Sequence, residues 1–259
     1  MTELKFPYSG LAVNRFDDFP GKPYIVFLHD SLGCIELWRN FPQRLGKLTE
    51  CNVMIYDRQG YGKSIPFTGG RRDNSYLEKE ADILHGLLEY CGILNPILFG
   101  HSDGGSIALI AASKYPAKIG GVITEGAHVF VEDITIRGIK ETRESYRHSG
   151  LDKRLKKYHG DKTDEMFEAW TETWTGSEFL SWDITHFLPG IVCPLLAIQG
   201  KNDEYGTEEQ VRTILNHIKG STAGIIIPGA GHTPHKESPV EVLEPSVAFI
   251  QRLKDVGWI

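Results

Sequence analysis

The fifteen residues from Pro96 to Ile110, PILFGHSDGGSIALI, constrain the fold more than any other stretch of the chain. A short apolar run leads into Gly100-His101-Ser102-Asp103-Gly104, and apolar residues at helical spacing follow. That order predicts a strand, an abrupt turn and a helix, with Ser102 at the apex. The turn is too tight for bulky side chains two places before or after the serine, and Gly100 and Gly104 meet that demand. A serine held there projects clear of the sheet, beside the unsatisfied N–H groups that open a helix. It is a candidate nucleophile for attack on a carbonyl. The plainer alternative is a βα turn in which Ser102 only caps the helix.

The rest of the chain supplies the context that this motif needs. Strands are expected at 11–16, 24–28, 53–56, 121–124, 195–198 and 225–227, helices at 74–90, 207–218 and 240–253, and a further strand and helix around Ser102. Strands that alternate with helices imply βαβ units and a mostly parallel sheet. Between 131 and 189 the character changes. Charged and aromatic helical stretches (136–148, 153–158, 164–174) appear there without any strand-like run. The expected layout is one α/β core, 1–130 with 190–259, carrying a helical cap inserted at 131–189.

Bulk properties exclude several classes. A formal charge of −6 without basic blocks argues against a nucleic-acid binder. No apolar run is long enough to span a bilayer, and residues 1–8 contain no apolar leader, so a cytoplasmic protein with no membrane partner is expected. The four cysteines are scattered, with no C-x-x-C, and read as reduced buried thiols. Neither metal nor cofactor is expected.

A serine hydroxyl needs a base, and the base needs an orienting group. In a parallel sheet such groups gather where strands end at their carboxyl side. Asp203 follows the strand at 195–198, ahead of its rivals Glu204, Glu208 and Glu209. His232 lies in the glycine-rich loop Pro228-Gly229-Ala230-Gly231-His232 after the last strand. The order Ser, Asp, His is the one expected when the serine sits on such an elbow. Among the other histidines, His85, His148, His159 and His217 fall in helical stretches and are expected to be solvated. His235 is expected to pack in its loop.

Ser102, Asp203 and His232, each at the matching strand end, resemble the α/β-hydrolase superfamily over nearly the whole chain. Asp57-Arg58-Gln59-Gly60-Tyr61-Gly62-Lys63-Ser64 is similar to the family's D-x-R-G-x-G-x-S loop, with Gln59 at the arginine's place and Arg58 one position early. Gly231-His232 with Glu237-Ser238-Pro239 is similar to its G-H-x-x-x-x-E-x-P ending. Leu28-His29-Asp30-Ser31-Leu32-Gly33 resembles the H-G-x-x-G oxyanion loop, with Asp30 where glycine is usual. The resemblance implies an oxyanion hole formed by the backbone N–H groups of Ser31 and Asp103. Within the superfamily, the Ser102-Asp103-Gly104-Gly105 elbow and the cap look most like valacyclovir-hydrolase-type esterases. Lactonases and carbon–carbon bond hydrolases are also similar. In the first group the acid after the nucleophile holds a substrate ammonium, a role open to Asp103. Its place at a helix start is favourable by itself.

Substrate contacts are expected from Leu32, Asp103, Glu125, His128, Trp170 and Trp174, with Trp38, Phe130 and Trp182 as further apolar candidates. The expected reaction is hydrolysis of a small-molecule ester, lactone or related acyl bond through an acyl-enzyme on Ser102, by a monomer or homodimer. Cleavage of a carbon–carbon bond in a vinylogous diketone by the same triad is the alternative. A catalytically silent small-ligand receptor on the same scaffold is the reading from another class.

Overall fold

The structure is a computed structural model, which describes residues 10–67 and 72–259; residues 1–8, read above for a leader, lie outside them. Seven strands form one sheet: β1 (Val13–Phe16), β2 (Tyr24–Leu28), β3 (Asn52–Tyr56), β4 (Ile97–His101), β5 (Gly121–Glu125), β6 (Leu195–Gly200) and β7 (Thr222–Ile227). Their spatial order is β1-β3-β2-β4-β5-β6-β7. β1 pairs antiparallel with β3, and every other pairing is parallel. Helices cover both faces, so β2 to β6 are almost wholly apolar and buried, as parallel strands must be.

The alternation of side chains along each strand divides the core in two. Val26, Leu28, Leu98, Val122 and Ala197 point into the cluster shared with α2 (Tyr76–Tyr90) and α3 (Asp103–Lys114). Ile25, Phe27, Phe99, Ile123 and Ile198 point the other way, toward α1 (Phe41–Thr49) and α9 (Pro239–Asp255). The sequence reading has no element at 41–49. Gly46 and the run of polar residues blur the helical pattern there, while Phe41 and Leu45 anchor the helix to the core.

Between β5 and β6 the chain is helical: α4 (Asp133–Ser145), α5 (Leu151–His159) and α6 (Thr163–Thr175), followed by 3₁₀ turns. An isolated bridge between Phe130 and Asp183 ties the two ends of this stretch together. Beyond β6 come α7 (Glu208–His217) and the short α8 (Pro234–Glu237). Among the described residues, no helix is long and apolar enough to cross a membrane.

One histidine departs from expectation. His159, expected to be solvated, is 2% exposed. Its Nδ1 accepts from the Gly62 N–H at 2.9 Å, and its Nε2 lies 3.1 Å from the Leu32 carbonyl oxygen. The C-terminal turn of α5 is therefore fastened to the loops after β2 and β3. A contact across 97 residues leaves no trace in local helical spacing.

Candidate active site

The elbow at Ser102 has the shape its glycines predict. Ser102 has φ 54° and ψ −120°, a conformation that L-residues rarely adopt. A side chain at Gly100 would meet the Gly104 carbonyl oxygen at 2.2 Å, and one at Gly104 would meet the Leu28 carbonyl oxygen at 2.1 Å. Only glycine lets β4 turn this sharply into α3. The Ser102 N–H donates to the Glu125 carbonyl at 2.8 Å, which locks the apex to β5.

Three of the predicted residues form a continuous chain. Ser102 Oγ lies 2.9 Å from His232 Nε2, and His232 Nδ1 lies 2.9 Å from both oxygens of Asp203. Asp203 is held in turn. Its Oδ1 accepts from the Tyr205 and Gly206 N–H groups, and its Oδ2 accepts from Gln199 Nε2 at 3.0 Å. Burial opposes charge on Asp203, but His232, with His128 and the Tyr205 N–H, outweighs it and lowers its pKa. Burial likewise opposes charge on His232, yet Asp203, with Glu204 and Asp30, raises its pKa to about 9. A hydroxyl proton therefore has a direct path to an imidazole with a strong counter-charge behind it.

The ending G-H-x-x-x-x-E-x-P has a local purpose. Glu237 accepts from the Gly231 N–H at 2.6 Å and from the Thr233 N–H at 3.1 Å, clamping the loop on both sides of His232. His101 Nε2 meets the His232 carbonyl oxygen at 2.8 Å.

Above Ser102 is a small cavity, partly open to solvent. Ser31, Leu32, Asp103, His128, Trp170 and Trp174 all line it, as do Ser102 and His232. Asp30, Thr135, Ile139 and Tyr205 complete the wall, without having been expected there. Tyr205 lies two residues beyond Asp203, and α4 carries Thr135 and Ile139 over the strand ends. Trp38, Phe130 and Trp182 do not reach the cavity. Trp38 is buried on the opposite face of the sheet, while Trp182 packs on Trp174 and Phe179.

Glu125 requires a correction. It does not line the cavity; it is wholly buried, and its carboxylate accepts from the His235 N–H at 2.5 Å and meets His235 Nδ1 at 2.6 Å. Register explains this, because Glu125 pairs with His101 across β4 and β5, beneath the elbow. His101, Glu125 and His235 form a buried group with metal-ligand chemistry. Both Glu125 oxygens are already taken up by His235, and burial pushes His101 down to about 4.

Asp103 also has partners that local sequence does not reveal. Its Oδ2 accepts from Tyr76 Oη at 3.0 Å and from both terminal nitrogens of Arg58 at 3.4 Å. Both side chains of this ion pair are sealed from solvent. The other oxygen, Oδ1, is buried without a hydrogen-bond partner among the described residues. Arg58 reaches Asp103 because β3 and β4 flank β2, which brings together residues 45 apart. The loop before it tolerates Asp30 in place of glycine. Asp30 has no positive φ, and its Oδ1 occupies the space that a side chain at Gly33 would need.

Comparison with known proteins agrees with this architecture. Human serine hydrolase BPHL is 27% identical over 97% of this chain and 87% of its own. A 2-hydroxy-6-oxononadienedioate/2-hydroxy-6-oxononatrienedioate hydrolase from Paraburkholderia phymatum is 28% identical over 79% of this chain and 76% of its own. A carboxylesterase structure from the thaumarchaeon Nitrososphaera gargenis superposes with a TM-score of 0.78 at 19% identity, covering 95% of each chain. The enol-lactonase of Burkholderia xenovorans gives 0.72 at 17% identity, over 93% of this chain and 96% of its own. These two structures share the fold. Residues 25–244 match the alpha/beta hydrolase family, and the chain belongs to that family of hydrolases.

Proposed function

We propose that this protein hydrolyses an ester, lactone or related acyl bond of a small molecule, with Ser102 as nucleophile, His232 as general base and acid, and Asp203 as its orienting partner. The observation that carries the reading is the unbroken 2.9 Å chain from Ser102 Oγ through His232 to Asp203 at the floor of a cavity that opens to solvent. Ser102 Oγ attacks the carbonyl carbon while His232 takes its proton. The Ser31 and Asp103 N–H groups receive the developing oxyanion. His232 then protonates the leaving group, and a water that it activates releases the acyl group from Ser102. Helices α4 to α6, within the inserted cap at 131–189, roof the site, with Trp170 and Trp174 offering an apolar wall and Leu32 and His128 the remaining contacts.

Likeness to the Paraburkholderia enzyme supports a second reading, cleavage of a carbon–carbon bond in a vinylogous diketone by the same residues. Arg58 and Tyr76 already engage Asp103 Oδ2 and its Oδ1 is buried, so a substrate ammonium would have to uncover Oδ1 to reach this carboxylate.

A fluorophosphonate probe tests the chemistry: labelling at Ser102 is expected, and a folded protein that stays unlabelled would return the site to ligand binding alone. A panel of aryl esters, aminoacyl esters, lactones and ring-cleavage diketones then separates the reactions. Faster turnover of diketones than of every ester would move the assignment to carbon–carbon cleavage.

A further inference from the structure

The loop after β3 contributes one residue that neither the family pattern nor the triad uses. Arg58 stands one position before the place of the family's arginine, which Gln59 occupies. Its side chain is fully buried, with the guanidinium 4.6 Å from the Tyr61 ring centre. Arg58 Nη2 donates to the Asp30 carbonyl oxygen at 2.9 Å, and both terminal nitrogens face Asp103 Oδ2. One planar fork thus touches the two segments that carry the oxyanion donors.

His29 completes the arrangement. Its Nε2 accepts from the Arg58 backbone N–H at 3.0 Å, which leaves the proton of a neutral ring on Nδ1. That Nδ1 lies 2.7 Å from the same Asp30 carbonyl oxygen. Burial, reinforced by the Arg58 charge, lowers the His29 pKa well below its ordinary value, so the ring stays neutral and the tautomer is defined. The Gly33 N–H adds a third bond to the same oxygen at 3.2 Å. A trans peptide is planar, with its C=O and N–H directed oppositely. Fixing the Asp30 carbonyl from behind therefore fixes the direction of the Ser31 N–H, and Ser31 lines the cavity beside Ser102.

We infer that Arg58, with His29, is a positioning residue for the oxyanion hole, holding the Asp30–Ser31 peptide and the start of α3 in mutual register so that both N–H donors are aimed before substrate arrives. The inference rests on the hydrolase reading only in that it needs a developing oxyanion, which acyl transfer and carbon–carbon cleavage share. Lysine cannot replace this function, since it carries the charge without the fork.

Arg58→Lys and Arg58→Met test the proposal against a merely structural role, which would alter stability and substrate affinity together. Loss of one oxyanion donor costs on the order of 10²-fold in kcat. Both variants are expected to lose about that much with KM within about threefold, and an arylboronic acid that forms a tetrahedral adduct on Ser102 should weaken in proportion. In ¹⁵N-labelled wild type, boronate addition should move the Ser31 amide resonance strongly, and in either variant only weakly. His29→Gln supplies the second arm where the arginine variants do not fold, with the same pattern expected. Wild-type kcat and boronate affinity in folded Arg58→Lys or His29→Gln would overturn the proposal. So would a crystal structure of Arg58→Lys that keeps the Asp30–Ser31 peptide in place with wild-type kcat. The peptide orientation is read without turnover, so its retention counts against Arg58 alone, whereas an unlabelled wild-type Ser102 counts against the hydrolase reading alone.

Discussion

Two histidine–carboxylate pairs have their histidines three residues apart beyond β7, His232 in the loop and His235 in α8, and they differ in what lies beyond the imidazole. His232 turns Nδ1 to Asp203 and presents Nε2 to a hydroxyl at the edge of a cavity. His235 turns Nδ1 to Glu125, but its ring lies 4.6 Å from that of Trp38 and 5.5 Å from that of Phe41. Both carboxylates are buried, and both pairs are short. The first pair faces a group that can give up a proton; the second is walled in by aromatic rings, with Glu125 also binding the His235 backbone. On the proposed mechanism, the same chemical pair serves as a base in one setting and as a strut in the other. Surroundings of the second nitrogen, rather than the pair itself, decide which.

Removing each pair should expose that difference. The largest effect is expected for His232→Ala, where kcat falls by roughly 10⁴- to 10⁶-fold in a protein that still folds. Steady-state turnover with circular dichroism checks this, and a loss below tenfold would take His232 out of the chemistry. Asp203→Asn should cost about 10⁴-fold, because the imidazole loses both its tautomer and its counter-charge.

pH sharpens the contrast, because the two pairs carry opposite signs. Asp203 raises the His232 pKa to about 9, so wild-type kcat/KM should rise with pH on the alkaline side of neutrality, and Asp203→Asn should move that limb back down. The stability that His232 contributes is full below the ordinary histidine range and is lost as pH rises through about 9. Glu125 is the reverse. Burial works against its charge, but His235 and His101 lower its pKa, so its contribution is present above the ordinary glutamate range and fades as pH falls through the lowered value. Urea unfolding at acid and alkaline pH, compared in Asp203→Asn and Glu125→Gln, separates these signatures.

The smallest effect on chemistry and the clearest on stability is expected for His235→Ala. It leaves buried Glu125 with the backbone N–H of residue 235 but without the imidazole, and breaking such a pair costs about 3–5 kcal/mol. Urea midpoints should fall accordingly, while the folded fraction labels at Ser102 within about tenfold of wild type. A large loss of labelling with unchanged stability would make His235 part of the catalytic apparatus after all.

Most of the fold and the Ser102–His232–Asp203 chain were legible in the sequence because each depends on local signals: apolar strands, glycines at fixed offsets, and polar residues just past strand ends. Contacts across the sheet were not. Glu125 looked like a cavity residue because it ends a strand, and only its register with His101 sends it beneath the elbow. Arg58 and Asp103 meet through strand order, and His159 is buried by a loop almost a hundred residues away. The polar residue Gln199 had a readable sign, since an amide in an otherwise apolar strand end needs a partner, and here it holds Asp203.

The left-handed backbone at Ser102 bears on how such a protein responds to selection for heat resistance. Only four described non-glycine residues have positive φ, and Ser102 is one of them. A residue held in a sparsely populated conformation of this kind costs roughly 1–3 kcal/mol, and glycine would relieve it. Ser102→Gly is therefore expected to unfold at a higher temperature than Ser102→Ala, which scanning calorimetry would detect. A library screened for thermal survival without a test of turnover would drift toward glycine at this position, enriching hardy proteins that have given up the hydroxyl.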